Sequence, residues 1–289
     1  MITGVHHIGL TISPVHDLSW LGHVCSQRNE TWYAAPNVYV RIEKCAPDKV
    51  IETIKRPANI AGIAHICLQS RDINEGYHHG LTNGLISISE PVDLGTEFRY
   101  LYAHTSDGVL LELEGAPFVA DVEPHFWLGH VAFVAQDIEL LVNFYSRALR
   151  LDPTPTMRLR GNKMFDKVTG FNDVDLSAKW LPGLNLGLEY WHYHNPETPQ
   201  NSSHSPYGFN HVCFESEDFE TDCAHLLAQG GAPIAMNDLG LEDCRVAGFL
   251  DPEGNKIVII AFNDGHHPLS IKKLAHSDIL ARVTAQRSR

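Results

Sequence analysis

The chain has no Cys-x-x-Cys pair. Its six cysteines (Cys25, Cys45, Cys67, Cys213, Cys223 and Cys244) lie scattered along 289 residues. That argues against structural zinc and a disulfide framework, and leaves free thiols in a reducing compartment as the default. No apolar run reaches the roughly 20 residues of a membrane-spanning helix. Positive charge is scarce, with 22 Lys and Arg against 35 Asp and Glu and a net charge of −13. Phosphate and anionic lipid both call for clustered cations, so neither nucleic acid nor a membrane is an expected partner. The first residues, Met1-Ile2-Thr3-Gly4, lack the basic region and apolar core of a signal peptide and run straight into a strand pattern. The expected location is therefore cytoplasmic. No Gly-x-Gly-x-x-Gly or Walker pattern occurs, and Gly230-Gly231 reads as a helix stop.

What is present is a repeat. A short apolar strand with one imidazole occurs four times, at Val5-His6-His7-Ile8, Ala64-His65-Ile66, Gly129-His130-Val131 and Asn210-His211-Val212. The copies are about 60 to 80 residues apart, the size of a supersecondary unit rather than a solenoid repeat. Alternation and turn signals extend each copy into a module of strand, helix and two or three further strands. The modules run roughly over 4–44, 61–115, 128–194 and 207–262. In the first, which is the shortest, Pro14 to Cys25 reads as a helix-like piece. In the others Asp72, Asp137 and Asp218 stand where a helix begins. The turns Asp107-Gly108 and Asp251-Pro252-Glu253-Gly254-Asn255 precede the last strands of modules 2 and 4. A polar linker is expected over 194–205, and a short helix with a frayed end after residue 263. The fold class is α+β, with four repeated βαβββ modules paired into two cupped mixed sheets. By chain order these form a pair over 1–120, a pair over 121–264 and a tail over 265–289.

The repeated strand with its His, the turn 251–255 and Phe144-Tyr145 in the first helix of module 3 resemble the vicinal oxygen chelate superfamily. That superfamily includes glyoxalase I, methylmalonyl-CoA epimerase, extradiol dioxygenases and the fosfomycin and bleomycin resistance proteins. The resemblance covers about residues 4 to 262. It implies that two modules cup one divalent metal, with ligands from their first and last strands. The first-strand places match His7, His65, His130 and His211, and strand alternation turns His6 to the other face. Glu112 and Glu189 match the last-strand places of modules 2 and 3. Modules 1 and 4 depart from the pattern, with Arg41 and Val258 there.

Two pairings stay open. Sequential pairing gives one site of His7, His65 and Glu112 and another of His130, His211 and Glu189. Crossed pairing gathers His65, Glu112, His130 and Glu189 into one site. It leaves His7, Arg41, His211 and Val258 in a weakened cup. Imidazole and carboxylate suit Fe, Mn, Co, Ni or Zn. The resemblance implies a lyase or isomerase acting on a small substrate with two neighbouring oxygens. In such an enzyme Glu112 or Glu189 takes a proton α to a carbonyl. A homodimer is compatible with this reading. The alternatives are an extradiol Fe(II) dioxygenase and a non-catalytic ligand-binding protein of the resistance type. Val258 stands where the dioxygenases carry Glu. Tyr100, Tyr102, His104, Trp191 and Tyr193 are candidates for the wall of the cup. His78-His79 and His266-His267 read as solvated surface, and Cys67 and Cys213 as small core residues.

Overall fold

A computed structural model describes residues 1–45, 54–95, 98–116, 125–199, 206–236 and 239–287. Each His-bearing segment is the first strand of a module. Module 1 holds β1 (Ile2–Ile12), β2 (Ser26–Gln27), β3 (Trp32–Ala34) and β4 (Tyr39–Lys44). Module 2 holds β5 (Gly62–Ser70), α1 (Ile73–Thr82), β6 (Ile86–Ser87), β7 (Val92–Asp93), β8 (Arg99–His104) and β9 (Leu110–Gly115). Module 3 holds β10 (Phe126–Val134), α2 (Ile138–Leu149), β11 (Met157–Arg160), α3 (Lys163–Thr169), β12 (Asp175–Leu181) and β13 (Gly187–Asn195). Module 4 holds β14 (Gly208–Ser216), α4 (Phe219–Ala228), β15 (Ala232–Ile234), β16 (Cys244–Leu250) and β17 (Lys256–Phe262). A short tail helix follows, α5 (Ile279–Arg287).

The helices start where a side chain can cap them. Asp72, Asp137 and Asp218 accept hydrogen bonds from the backbone N–H groups of Asn74, Leu140 and Thr221. Each lies seven residues after its module's histidine. In module 1 that place is Pro14, which offers no acceptor, and only a 3-10 turn forms, at Ser19–Leu21. The helix-like reading of residues 14–25 is corrected to that turn. The supposed linker from residue 194 is corrected as well, since β13 runs on to Asn195 and His194 bridges Glu197. The reading missed α3. Its cap is Asn162, which accepts from the N–H groups of Met164 and Phe165.

Within each module the first strand pairs parallel with the last: β1 with β4, β5 with β9, β10 with β13 and β14 with β17. Between modules the first strands pair antiparallel, β1 with β14 and β5 with β10. One sheet therefore runs β15-β16-β17-β14-β1-β4-β3-β2, and the other β11-β12-β13-β10-β5-β9-β8-β6. Modules 1 and 4 share the first sheet, and modules 2 and 3 the second. The pairing is crossed. Each of the chain-order halves 1–120 and 121–264 gives one module to each sheet.

One apolar core joins residues of both sheets, among them Ile8, Val40, Ile66, Phe133, Tyr190, Phe214 and Ile259. Polar staples fix the two sheets together. Asn185 accepts from the Val5 N–H at 2.8 Å and donates to the carbonyls of Val5 and Asn37. Asn37 in turn donates to the carbonyls of Leu128 and Asn185. The turns before the last strands act as further staples, each within a chain-order pair. Asp107 of module 2 accepts from the N–H of Ser13. Glu253 of module 4 accepts from those of Gln136 and Asp137. The tail returns to the second sheet, where Ile279 and Val283 pack with Phe98 and Trp127.

Asn185→Ala removes three buried hydrogen bonds and strands their backbone partners. We expect a loss of about 2–4 kcal/mol in a urea unfolding curve. A change below about 0.5 kcal/mol, within the range of a neutral surface substitution, would mean that the staple contributes nothing.

Candidate metal centre

The centre of the second sheet is the seam between β5 and β10. Leu128 pairs with Leu68 and Val131 with Ile66, so two residues of β10, Gly129 and His130, oppose one of β5. A bulge of this kind re-aims a side chain, and here the side chain is His130. Its neighbour must be small, because a Cβ on residue 129 would lie 3.3 Å from Cys67 Sγ and from Gln69 Cβ. Ala132 pairs with His65 on one side and with Glu189 on the other, while Cys67 pairs with Glu112. Four side chains on four adjacent strands thus turn to one place.

One ligand atom from each of His65, Glu112, His130 and Glu189 lies within 4.8 Å of all the others. His65 Nε2 is 3.3 Å from Glu112 Oε2 and 3.9 Å from Glu189 Oε2. His130 Nε2 is 3.7 Å from Glu112 Oε1 and 3.0 Å from Glu189 Oε2. Metal bonds of about 2.1 Å place neighbouring octahedral ligands about 3.0 Å apart and opposite ones about 4.2 Å apart. The set falls in that range. His65 Nε2, His130 Nε2 and Glu189 Oε2 are buried and make no hydrogen bond, although the last two are only 3.0 Å apart. They aim at a common point rather than at each other. Burial of unsatisfied polar atoms is costly, and a cation at that point would satisfy all of them.

Electrostatics agree. Burial opposes charge on the His130 imidazole, but Glu189 and Glu112 outweigh it and raise its pKa to about 10. Burial pushes the Glu189 carboxyl up, yet His130 and His65 bring it below the ordinary value. The set draws positive charge to itself. Around it, Trp180 Nε1 donates to Glu189 Oε1 at 2.7 Å.

A cavity of about 340 Å³ opens on this set. Of the wall candidates offered by the sequence, Tyr100, Tyr102 and Trp191 line it. His104 does not, because its Nε2 turns to the Arg56 carbonyl at 2.9 Å. Tyr193 is buried among Phe165, Val168, Leu176 and Trp191 and is absent from the lining. Sequence reasoning missed Glu114, Trp180 and the α3 wall of Phe165 and Val168. Glu114 lies two residues after Glu112 on the same strand, so alternation alone could have found it. Burial, with Glu112 close by, raises its pKa.

The other cup is closed. His7 Nε2 and His211 Nε2 meet at 2.8 Å, and His6 Nδ1 lies 2.7 Å from His7 Nδ1. The expectation for His6 is corrected. A bulge between Val5 and His7 breaks the alternation and brings both rings to one side. Trp32 packs edge-on against both rings, and the Leu269 carbonyl meets His6 Nε2 at 2.7 Å. Val258 is fully buried, and Arg41 pairs with Glu43. Burial and the nearby imidazole of His211 hold the His7 pKa well below the usual range; burial and Lys256 bring His211 to about 3. Sequential pairing is thereby overturned, because His7 meets His211 and His65 meets His130. Of the surface candidates, His79 and His267 prove half-buried; His79 stacks on His23 and His267 on Phe262.

Residues 127–259 match the family model for the Glyoxalase/Bleomycin resistance protein/Dioxygenase superfamily. The fold match extends over the whole chain. Glyoxalase I from Zea mays is 15% identical, with 99% of this chain and 97% of that one covered at a TM-score of 0.65. The sequence match to the superfamily is carried by residues 127–259; over the rest of the chain the likeness is one of fold. A putative dioxygenase from Bacillus subtilis is 9% identical and covers 100% of this chain and 96% of its own, at a TM-score of 0.57. No curated protein sequence matches the chain. At such identities the likeness to these superfamily members is one of fold.

The thiols give a test of the seam's packing. Cys25, Cys67 and Cys213 are buried; burial raises the Cys25 pKa to about 12 and those of Cys67 and Cys213 well above the usual value. Only a thiolate reacts, so a disulfide reagent at pH 8 should label the half-buried Cys45 and Cys244 first and Cys223 more slowly, since burial raises its pKa to about 11. The remaining three should react only on unfolding. Rapid reaction of all six would contradict the described packing.

Proposed function

We propose that this chain binds one divalent cation through His65, Glu112, His130 and Glu189. On this reading it is a lyase or isomerase of the vicinal-oxygen-chelate type. The observation that carries the reading is the convergence of unbonded imidazole and carboxylate atoms at one buried point beside a cavity of small-molecule size. Imidazole and carboxylate suit Zn, Ni, Co, Mn or Fe. A bound cation would supply Lewis-acid stabilisation of negative charge on two adjacent oxygens of a substrate.

The chain's own residues divide the remaining work. Glu189 is held by Trp180 Nε1 and lies nearest His130. Glu112 receives no hydrogen bond among the described residues and faces the two imidazoles at 3.3 and 3.7 Å. The less tethered carboxylate is the one free to swing, so Glu112 takes the proton from the carbon next to the carbonyl and returns it. Phe165 and Trp191, stacked 5.6 Å apart, shield the cavity from water. An Fe(II) dioxygenase is the second reading. The fold likeness to a putative dioxygenase favours it, and the second carboxylate in the set counts against a two-His, one-carboxylate iron site.

Two measurements test the proposal. Elemental analysis should find one divalent ion per chain, retained in the double variant His7→Ala, His211→Ala and lost in Glu112→Gln, Glu189→Gln. Two ions per chain, or retention by the second variant, contradicts the assignment. In the metal-loaded protein Glu112→Gln should slow deuterium wash-in at a substrate carbon by about 10²–10⁴-fold, the usual worth of a positioned base. Undiminished exchange would remove Glu112 from that role.

A further inference from the structure

His130 is the least enclosed of the four proposed ligands. Its side chain is 13% exposed, against 2% for His65 and 5% for each glutamate. It lines not only the cavity already described but also a groove of about 610 Å³ between α5 and the hairpin of β12 and β13. Phe98 and Trp180 border both spaces too. The groove exists because side chains there are short. Gly129, Gly183 and Gly187 line it from the sheet, and Ala281 and Ala285 line it from α5. Two of those glycines go with the bulge that aims His130. A Cβ on residue 187 would lie 3.2 Å from His130 Cβ and 3.1 Å from the Gly129 carbonyl oxygen. The rest of the lining is mainly aliphatic, and no Asp, Glu, Lys or Arg belongs to it among the described residues. Packing of Ile279 and Val283 on Phe98 and Trp127 holds α5 in place as a wall.

Resting on the metal-centre reading above, we infer that this groove is the second arm of the substrate site. It takes an uncharged aliphatic tail, joined to a head whose two neighbouring oxygens meet the cation beside His130. Helix α5 is then a specificity element. The reasons are general. A trough lined by short apolar side chains leaves apolar surface in water, and a hydrocarbon chain would cover it. A charged tail would lose its hydration there and find no partner. Continuity singles out a tail of the chelated molecule over a separate compound, because the residues around His130 border both spaces. A substrate without a tail gains nothing from the groove.

The test uses three neutral probes with one chelating head and tails of growing length: 4-methylcatechol, 4-butylcatechol and 4-hexylcatechol. Each is titrated into zinc-loaded protein by calorimetry, and zinc content is measured on the same sample. A buried methylene is worth about two- to fourfold in affinity, so the hexyl probe should bind at least about 30-fold tighter than the methyl one. The double variant Ala281→Phe, Ala285→Phe fills the groove from α5 and should shrink that ratio below about threefold while zinc stays bound. Ala285→Cys gives a local reading, by mass spectrometry of its peptide. The hexyl probe, and not the methyl one, should slow the labelling of that thiol. A flat series with one zinc per chain overturns the inference and leaves the metal centre standing. So does a steep series that survives in the zinc-loaded double variant. A solution mass of two chains that the double variant halves gives the groove to a second copy and overturns the inference as well. If the double variant loses zinc, the labelling of Ala285→Cys decides. If no zinc binds at any loading, the metal reading falls. Labelling of the metal-free protein then still decides the groove: protection by the hexyl probe alone supports it, and no protection overturns it.

Discussion

Two carboxylates, each only 4% exposed, sit beside two imidazoles in the middle of a sheet. Buried negative charge demands positive charge nearby, and everything about the second sheet answers that demand. The seam of β5 and β10 brings the imidazoles together. The parallel partners β9 and β13 bring one carboxylate from each side. A bulge turns His130 inward, and a glycine makes the bulge possible. Such an arrangement adds nothing to a core, and the cation proposed for it would balance its charge.

Crossed pairing gives the molecule two different kinds of unity. Hydrogen-bonded sheets join modules 1 with 4 and 2 with 3. The turn carboxylates Asp107 and Glu253 join 1 with 2 and 3 with 4. The chain therefore cannot be cut into two halves without opening both sheets, nor into two sheets without breaking both turns. The cups have diverged within this frame. Where one keeps carboxylates, the other has Val258 and Arg41. Where one keeps a cavity, the other has Trp32 and the carbonyl of Leu269.

Much of this was legible in the residues. The repeat of a histidine in an apolar strand revealed the modules, and the Asp seven residues on marked the helices of three of them. Glu112 and Glu189 stood out because an acid between apolar strand residues needs a reason to be there. What was hidden was whatever depends on non-local geometry. Pairing is a choice between strands far apart in sequence, and linker lengths carry no trace of it. The bulges at His6 and Gly129 shift the period of two by one residue, so alternation misled at His6. Helix α3 is seven residues long and capped by a single Asn, too short to show a 3.6-residue period. Glu114 obeyed alternation but was overshadowed by Glu112.

The tail was expected to be a short helix with a frayed end, and α5 is that helix. Its Ile279 and Val283 lean on Trp127, whose indole N–H holds Gln69, which holds Glu114. Three contacts carry the mechanical support of a wall residue out to the last helix of the described chain. Anything that pulls on that helix, whether a fused tag, a protease nick or a neighbouring molecule, reaches the cavity through side chains rather than through the backbone.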